Sequence, residues 1–131
     1  MALRPQQGFT LLEVLVAVTI LAVALGAVIK LGSDNARIAA ELRDRTYAHW
    51  VAANVMARYR AGLDTPTEAV VRGSSMMAER EWFWETRVEP ILLEVGDVEL
   101  GPVPRIEISV RDRDDPDISP LVRLVGYLNW Q

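Results

Sequence analysis

Between Phe9 and Ile29 the chain is almost wholly apolar and carries one formal charge, Glu13. Such a run exceeds the roughly 18 consecutive apolar residues that make a helix a candidate to cross a membrane. As a helix it would cover about 30 Å at 1.5 Å per residue, which matches the hydrocarbon core of a bilayer. The acid is the anomaly. A charge at mid-membrane costs roughly 2.5–3.5 kcal/mol, and less near a helix end. Glu13 lies about one turn inside the run, so it either snorkels to the headgroups or meets a positive partner.

The residues upstream offer that partner. Met1 to Gly8 is short and polar, contains Arg4 and Pro5, and ends on a glycine facing Phe9. A cut between Gly8 and Phe9 would free a positive α-amino group four residues before Glu13. At that i, i+4 spacing the two groups share a helix face. They can also pair between two subunits stacked out of register, which would compensate a buried carboxylate.

Gly8-Phe9-Thr10-Leu11-Leu12-Glu13 ahead of an unbroken apolar helix resembles the class III signal of type IV pilins and type II secretion pseudopilins. The resemblance implies removal of a leader, residues 1–8, by a prepilin peptidase, followed by N-methylation of Phe9. Glu13 then becomes the fifth residue and the assembly charge. It further implies that residues 9–30 anchor the subunit in inner-membrane lipid and later pack in a filament core. A secretory signal peptide is the rival reading of this N-terminus, with Ala22, Ala24 and Ala27 as a small-residue cleavage site. It fits less well, because the apolar run is longer than the 7–15 residues of a signal-peptide core.

The remaining chain is modest. At 131 residues there is room for one domain, here residues 31–131. The net charge of −4 and the absence of any Lys/Arg cluster interleaved with aromatics argue against nucleic acid. Arginines set among acids read as a mixed-sign, solvated surface. With no cysteine, disulfides, thiolate zinc sites and thiol catalysis are ruled out. Arg4 ahead of the span votes for a cytoplasmic leader, which leaves the C-terminal domain in the periplasm.

No proline interrupts the chain between Pro5 and Pro66, and residues 30–61 are rich in helix formers. One long helix of about 80 Å is therefore predicted, softened near Gly26, Gly32 and Ser33-Asp34-Asn35, and stopped by Gly62 and Pro66. In its second half, Leu42, Ala53 and Met56 fall on one side, Tyr47 and Trp50 on another, and Val51 and Val55 on a third. A helix apolar nearly all round is buried on more than one side. A sheet covers one face; a neighbouring subunit, or simply a compact core, covers the rest. Tyr47, Trp50, Val51, Asn54 and Val55 are the candidate interface. His49 has no Asp, His or Cys set near it for a metal or a triad, and reads as a hydrogen-bonded packing residue.

Leu63 to Glu79 reads as loop, on the turn material of Asp64-Thr65-Pro66 and Gly73-Ser74-Ser75, with a short turn or helix at 68–71. From Glu81 the period becomes two. Trp82, Trp84, Thr86 and Val88 alternate with Phe83, Glu85 and Arg87, a half-buried strand limited by Pro90. Ile91 to Val95 either extends it irregularly or starts another strand, with Gly96-Asp97 and Gly101-Pro102 as punctuation. Arg105 to Arg111 is the clearest alternation, placing Ile106, Ile108 and Val110 inward. Leu121 to Trp130 is the last strand, with Val122, Leu124, Leu128 and Trp130 on one face and Gly126 at a bulge or close approach. The expected fold class is α+β: a long N-terminal hydrophobic helix whose C-terminal half packs on a small antiparallel sheet.

Arg111 to Asp117 holds several carboxylates, but Arg111 and Arg113 repel a cation and the calcium-loop spacing is missing, so no metal is assigned. There is no phosphate loop, nucleophile elbow or Cys/His ligand spacing, so no cofactor and no catalytic residue is assigned. The short globular part, the aromatic helix His49-Trp50-Val51-Ala52-Ala53-Asn54 and the single small sheet resemble the I-type minor pseudopilin of type II secretion. That resemblance implies a structural subunit of the pseudopilus tip, binding J-type and K-type minor pseudopilins to start assembly. The major pseudopilin, the inner-membrane assembly platform and prepilin peptidase would be its further partners. A minor pilin of a type IV pilus, or a single-pass periplasmic enzyme or binding module, remain the alternatives.

Overall fold

The computed structural model describes residues 8–96 and 98–129, with side chains described for all of these except 93–95 and 98–100. The expected leader apart from Gly8, and the expected placement of Trp130, lie outside them. One helix, α1 (Leu11–Arg60), precedes four strands: β1 (Val70–Met77), β2 (Arg80–Val95), β3 (Val98–Arg111) and β4 (Val122–Tyr127). The strands form one antiparallel sheet in the order β1-β2-β3-β4. By internal contacts the chain divides into two units, Met1–Ala40 and Glu41–Gln131.

Helical hydrogen bonding continues through Gly26, Gly32 and Ser33-Asp34-Asn35. Ser33 Oγ donates to the Ile29 carbonyl at 3.1 Å, so its competing hydroxyl is taken up along the helix. Within the first unit every described residue is exposed, and one helix window there is long and apolar enough to cross a membrane.

In the second unit α1 turns one stripe to the sheet. Ala48, Val51, Ala52, Val55, Met56 and Tyr59 recur at three- and four-residue intervals and are all buried. Opposite them stand Trp82 from β2, Ile106, Ile108 and Val110 from β3, and Leu128. The fully buried larger side chains each contribute roughly 1.5–3 kcal/mol of apolar transfer. Of the two covers expected for the remaining apolar sides of α1, the compact core is not found: the domain covers one side only. Leu42 is 60 % exposed and Ala53 only half-buried, so neither joins Met56 in the core. A single sheet face can cover only one stripe of a helix. The helix closes at Gly62, whose φ of +69° suits the left-handed residue after a helix end. The Gly62 N–H bonds the Tyr59 carbonyl, and Leu63 N–H bonds that of Arg58. Asp64 locks the turn by accepting from Arg58 Nε and Nη2 at 2.7 and 2.9 Å.

The segment read as loop before Glu79 contains a full strand. Gly73 is not turn material: it pairs directly with Trp84, and a Cβ there would sit 2.3 Å from that indole. The indole lies over the bare backbone and donates from Nε1 to Ser75 Oγ at 3.1 Å. The 68–71 stretch likewise forms no helix, since Val70 and Val71 begin β1. Ala78 and Glu79 join β1 to β2 in a two-residue turn, both at positive φ (51° and 58°). That turn type usually uses Asn and Gly, so the residues gave no hairpin signal.

Pro90 does not stop β2: of the two courses expected for Ile91 to Val95, the irregular extension is the one found, running to Val95 with an irregularity between Leu92 and Glu94. Pro90 lies opposite Pro104, whose carbonyl accepts from Leu128 N–H on the β4 side. Backbone polar groups at this pair therefore point away from each other, and the missing N–H groups cost the β2–β3 ladder nothing. Gly101 and Pro102 lie inside β3 rather than before it. At Gly126 the expected close approach is present: a Cβ would meet Met56 Cε at 2.6 Å.

Candidate functional site

Two places carry chemistry, one in each unit. In the first, Gly8, Phe9 and Thr10 lie outside the helix and Phe9 is 85 % exposed. Thr10 is the N-cap. Its Oγ1 accepts the Glu13 N–H at 3.2 Å, and its carbonyl accepts the Val14 N–H at 3.2 Å. Glu13 thus falls on the third helical residue, where a carboxylate favours the positive end of the helix dipole. Sequence reasoning missed Thr10. The signal was available, since Thr-x-x-Glu before an apolar run has the spacing of a capping box.

The second place is the face of α1 turned away from the sheet. Trp50 is 51 % exposed, although it is a large aromatic on a well-packed domain. Tyr47 is half-buried and connects it to the core: its ring lies 5.8 Å from Trp50, edge to face, and 6.4 Å from Trp82. Asn54, one turn on, is exposed, as is Leu42 two turns back. Val51 and Val55 do not belong to this surface. Both are buried against the sheet, so the candidate interface loses them to the core. Tyr47, Trp50 and Asn54 are what the structure brings together. His49 is exposed rather than a packing residue.

Ion pairs pin the domain around this face. Arg80 stacks over the Trp82 ring at 4.7 Å and reaches Asp44 Oδ2 at 3.0 Å, which ties the β1–β2 turn to α1. The Arg80 hydrogen bond holds the Asp44 carboxyl below its ordinary range. On the far side of the sheet, Glu85 accepts from Arg72 at 2.8 Å and from Arg87 at 3.4 Å, and Arg72 foremost holds its carboxyl low.

The acidic β3–β4 connection is closed by its own bonds. Arg111 Nε donates to the Ile118 carbonyl at 2.7 Å, and Asp117 N–H bonds Asp115 Oδ1 at 2.9 Å. Among the described residues no group of three His, Cys, Asp or Glu side chains is placed to hold a metal.

Comparison with known proteins gives these features a context. Residues 42–129 match the family described as type II secretion system (T2SS), protein I, and residues 3–29 match the prokaryotic N-terminal methylation motif. The type II secretion system protein I of Pectobacterium carotovorum is 32% identical, over 86% of this chain and 88% of its own length. That of Pseudomonas aeruginosa is 29% identical over 98% of this chain and 99% of its own. Among solved structures, the GspK-GspI-GspJ complex of enterotoxigenic Escherichia coli contains a chain 25% identical, with a TM-score of 0.50. The match covers 69% of this chain and 98% of that one.

Proposed function

The chain belongs to the type II secretion system protein I family, a minor pseudopilin, and we propose that it builds the pseudopilus tip by binding J-type and K-type partners through α1. The observation that carries this reading is Trp50, a half-exposed aromatic braced by Tyr47 on a helix face that the sheet leaves bare. Exposed Trp and Tyr anchors are typical of residues that dominate binding energy at interfaces. The related chain solved with GspJ and GspK supports the choice of partners. Binding of this kind would start assembly of the filament that exports proteins across the outer membrane.

The apolar part of α1 makes this a single-pass, membrane-anchored subunit. In the proposed topology the leader faces the cytoplasm and the Glu41–Gln131 unit lies in the periplasm. Prepilin peptidase removes residues 1–8, and Phe9 becomes the methylated N-terminus. Glu13 then pairs with that amine or with a neighbouring subunit's, which offsets the cost of a carboxylate in apolar surroundings. The family is structural, and the roles above require binding and packing rather than turnover.

Co-purification of the full-length chain with its J-type and K-type partners from detergent-solubilised membranes tests the interface. Trp50→Glu should weaken retention about tenfold or more while the domain stays folded, losing only the roughly 0.5–1.5 kcal/mol of its edge contact with Tyr47. Retention at the wild-type level would remove Trp50 from the interface. N-terminal sequencing tests the rest: mature protein should begin at N-methylated Phe9, and Gly8→Glu should block that processing. Glu13→Ala should be cleaved almost normally yet assemble poorly, and unimpaired assembly would refute the charge pairing.

A further inference from the structure

We infer that Thr10 is a positioning residue for leader removal: its hydroxyl ends α1 two residues after the cut and keeps the Gly8 carbonyl out of helical hydrogen bonding. The inference rests on the proposed cleavage between Gly8 and Phe9. In a helix continued upstream, the Glu13 N–H would bond the Phe9 carbonyl and the Leu12 N–H would bond the Gly8 carbonyl. Instead, Thr10 Oγ1 takes the Glu13 N–H at 3.2 Å, and the first helical carbonyl acceptor is that of Thr10 itself.

This matters because the Gly8 carbonyl is the one that must react. Hydrolysis adds water across the Gly8–Phe9 amide. The carbonyl carbon gains the hydroxyl, the C–N bond breaks, and the nitrogen leaves with a proton as the Phe9 amine. A carbonyl bound into a helical ladder is hemmed by the next turn and has its oxygen already occupied. The helix that makes the span would, without a cap, grow toward the scissile bond; Gly8 and Phe9 offer little resistance beyond the glycine's own entropy. Thr10 is where that growth stops. Its threonine side chain also competes for backbone donors outside the helix, which is why this residue type suits a cap.

Membranes containing the full-length precursor and prepilin peptidase provide the test, read as the rate at which the Met1–Gly8 peptide is released. Thr10→Ala, a good helix former without the hydroxyl, should be cut roughly five-fold more slowly, the factor expected for a lost N-cap. Thr10→Ser should restore the wild-type rate. Hydrogen exchange at the Leu12 amide should slow in Thr10→Ala, because that N–H gains the Gly8 carbonyl. Cleavage of Thr10→Ala at the wild-type rate, failure of Thr10→Ser to rescue, or slow cleavage with unchanged Leu12 exchange would each overturn the inference. If wild-type protein yields no N-terminus at Phe9, the cleavage reading itself has failed.

Discussion

The first half of α1 and its last three turns follow opposite rules, although helical hydrogen bonding runs through both. From Leu11 to Leu31 the large apolar residues are 48–86 % exposed, whereas Ala48, Val51, Ala52, Val55, Met56 and Tyr59 are at most 7 % exposed. Hydrophobicity is therefore not what distinguishes the two. The difference is the source of the cover. In the Glu41–Gln131 unit the chain supplies its own sheet; in the Met1–Ala40 unit the same kind of surface must be covered by lipid or by other subunits. A helix can hence be read as an anchor only when its apolar surface has no partner in its own chain.

The sharpest way to break this contrast is to truncate one side chain in each region. In detergent-solubilised full-length protein, Trp82→Ala should cost about 3–5 kcal/mol. That would lower the thermal midpoint by roughly 15 °C or more. Leu21→Ala should leave the midpoint unchanged, since Leu21 is largely exposed. Equal losses would mean that the two regions melt as one packed unit.

Two glycines sharpen the account of the domain. A Cβ at Gly73 would strike the rigid Trp84 indole at 2.3 Å, whereas at Gly126 it would strike the mobile end of Met56 at 2.6 Å. Gly73→Ala should therefore cost about 2–3 kcal/mol and Gly126→Ala under about 1 kcal/mol, by chemical denaturation. Reversal of that order would mean that the indole, not the thioether, is free to move.

Glu79 sits at a φ of 58°, which a non-glycine residue adopts at a cost of roughly 1–2 kcal/mol. Glu79→Gly should thus stabilise the domain slightly, by about 0.5–1 kcal/mol, despite the extra freedom of the unfolded chain.

The smallest effect is that of pH. Asp44 and Glu85 have folded pKa values lowered from the ordinary 3.8 and 4.5, by Arg80 and by Arg72 respectively. A lowered folded pKa gives stability that is present above the unfolded value and lost as pH falls through the folded one. The melting midpoint should decline as pH drops below about 4.5, and Glu85→Gln should flatten that decline. Because Arg72 is largely exposed, the Glu85 contribution should stay under about 1 kcal/mol.

Much of this was legible in the residues. The uninterrupted apolar run, the proline-free stretch to Pro66 and the strict alternation at Arg105–Arg111 each identify an element without help from neighbours. β1 was not legible because its centre, Gly73-Ser74-Ser75, is built to accommodate Trp84 from another strand. The turn at Ala78-Glu79 carried no usable signal, and the prolines of β2 and β3 misled because their harmlessness depends on facing each other. Of the candidate site, Gly8, Phe9 and Glu13 stand in a linear pattern that needs no fold to be seen, while Val51 and Val55, expected on the surface, are buried.

By itself the sequence determined the anchor helix, the sparse charge within it, the helix end and the alternating strands, because each follows from short-range periodicity and backbone preference. Which stripe of α1 faces the sheet, why a strand crosses Gly73, and that Tyr47 joins Trp50 to the core were decided only in three dimensions. Those outcomes depend on surfaces contributed by residues distant in the chain, and no local pattern encodes which of two apolar faces will find its cover first.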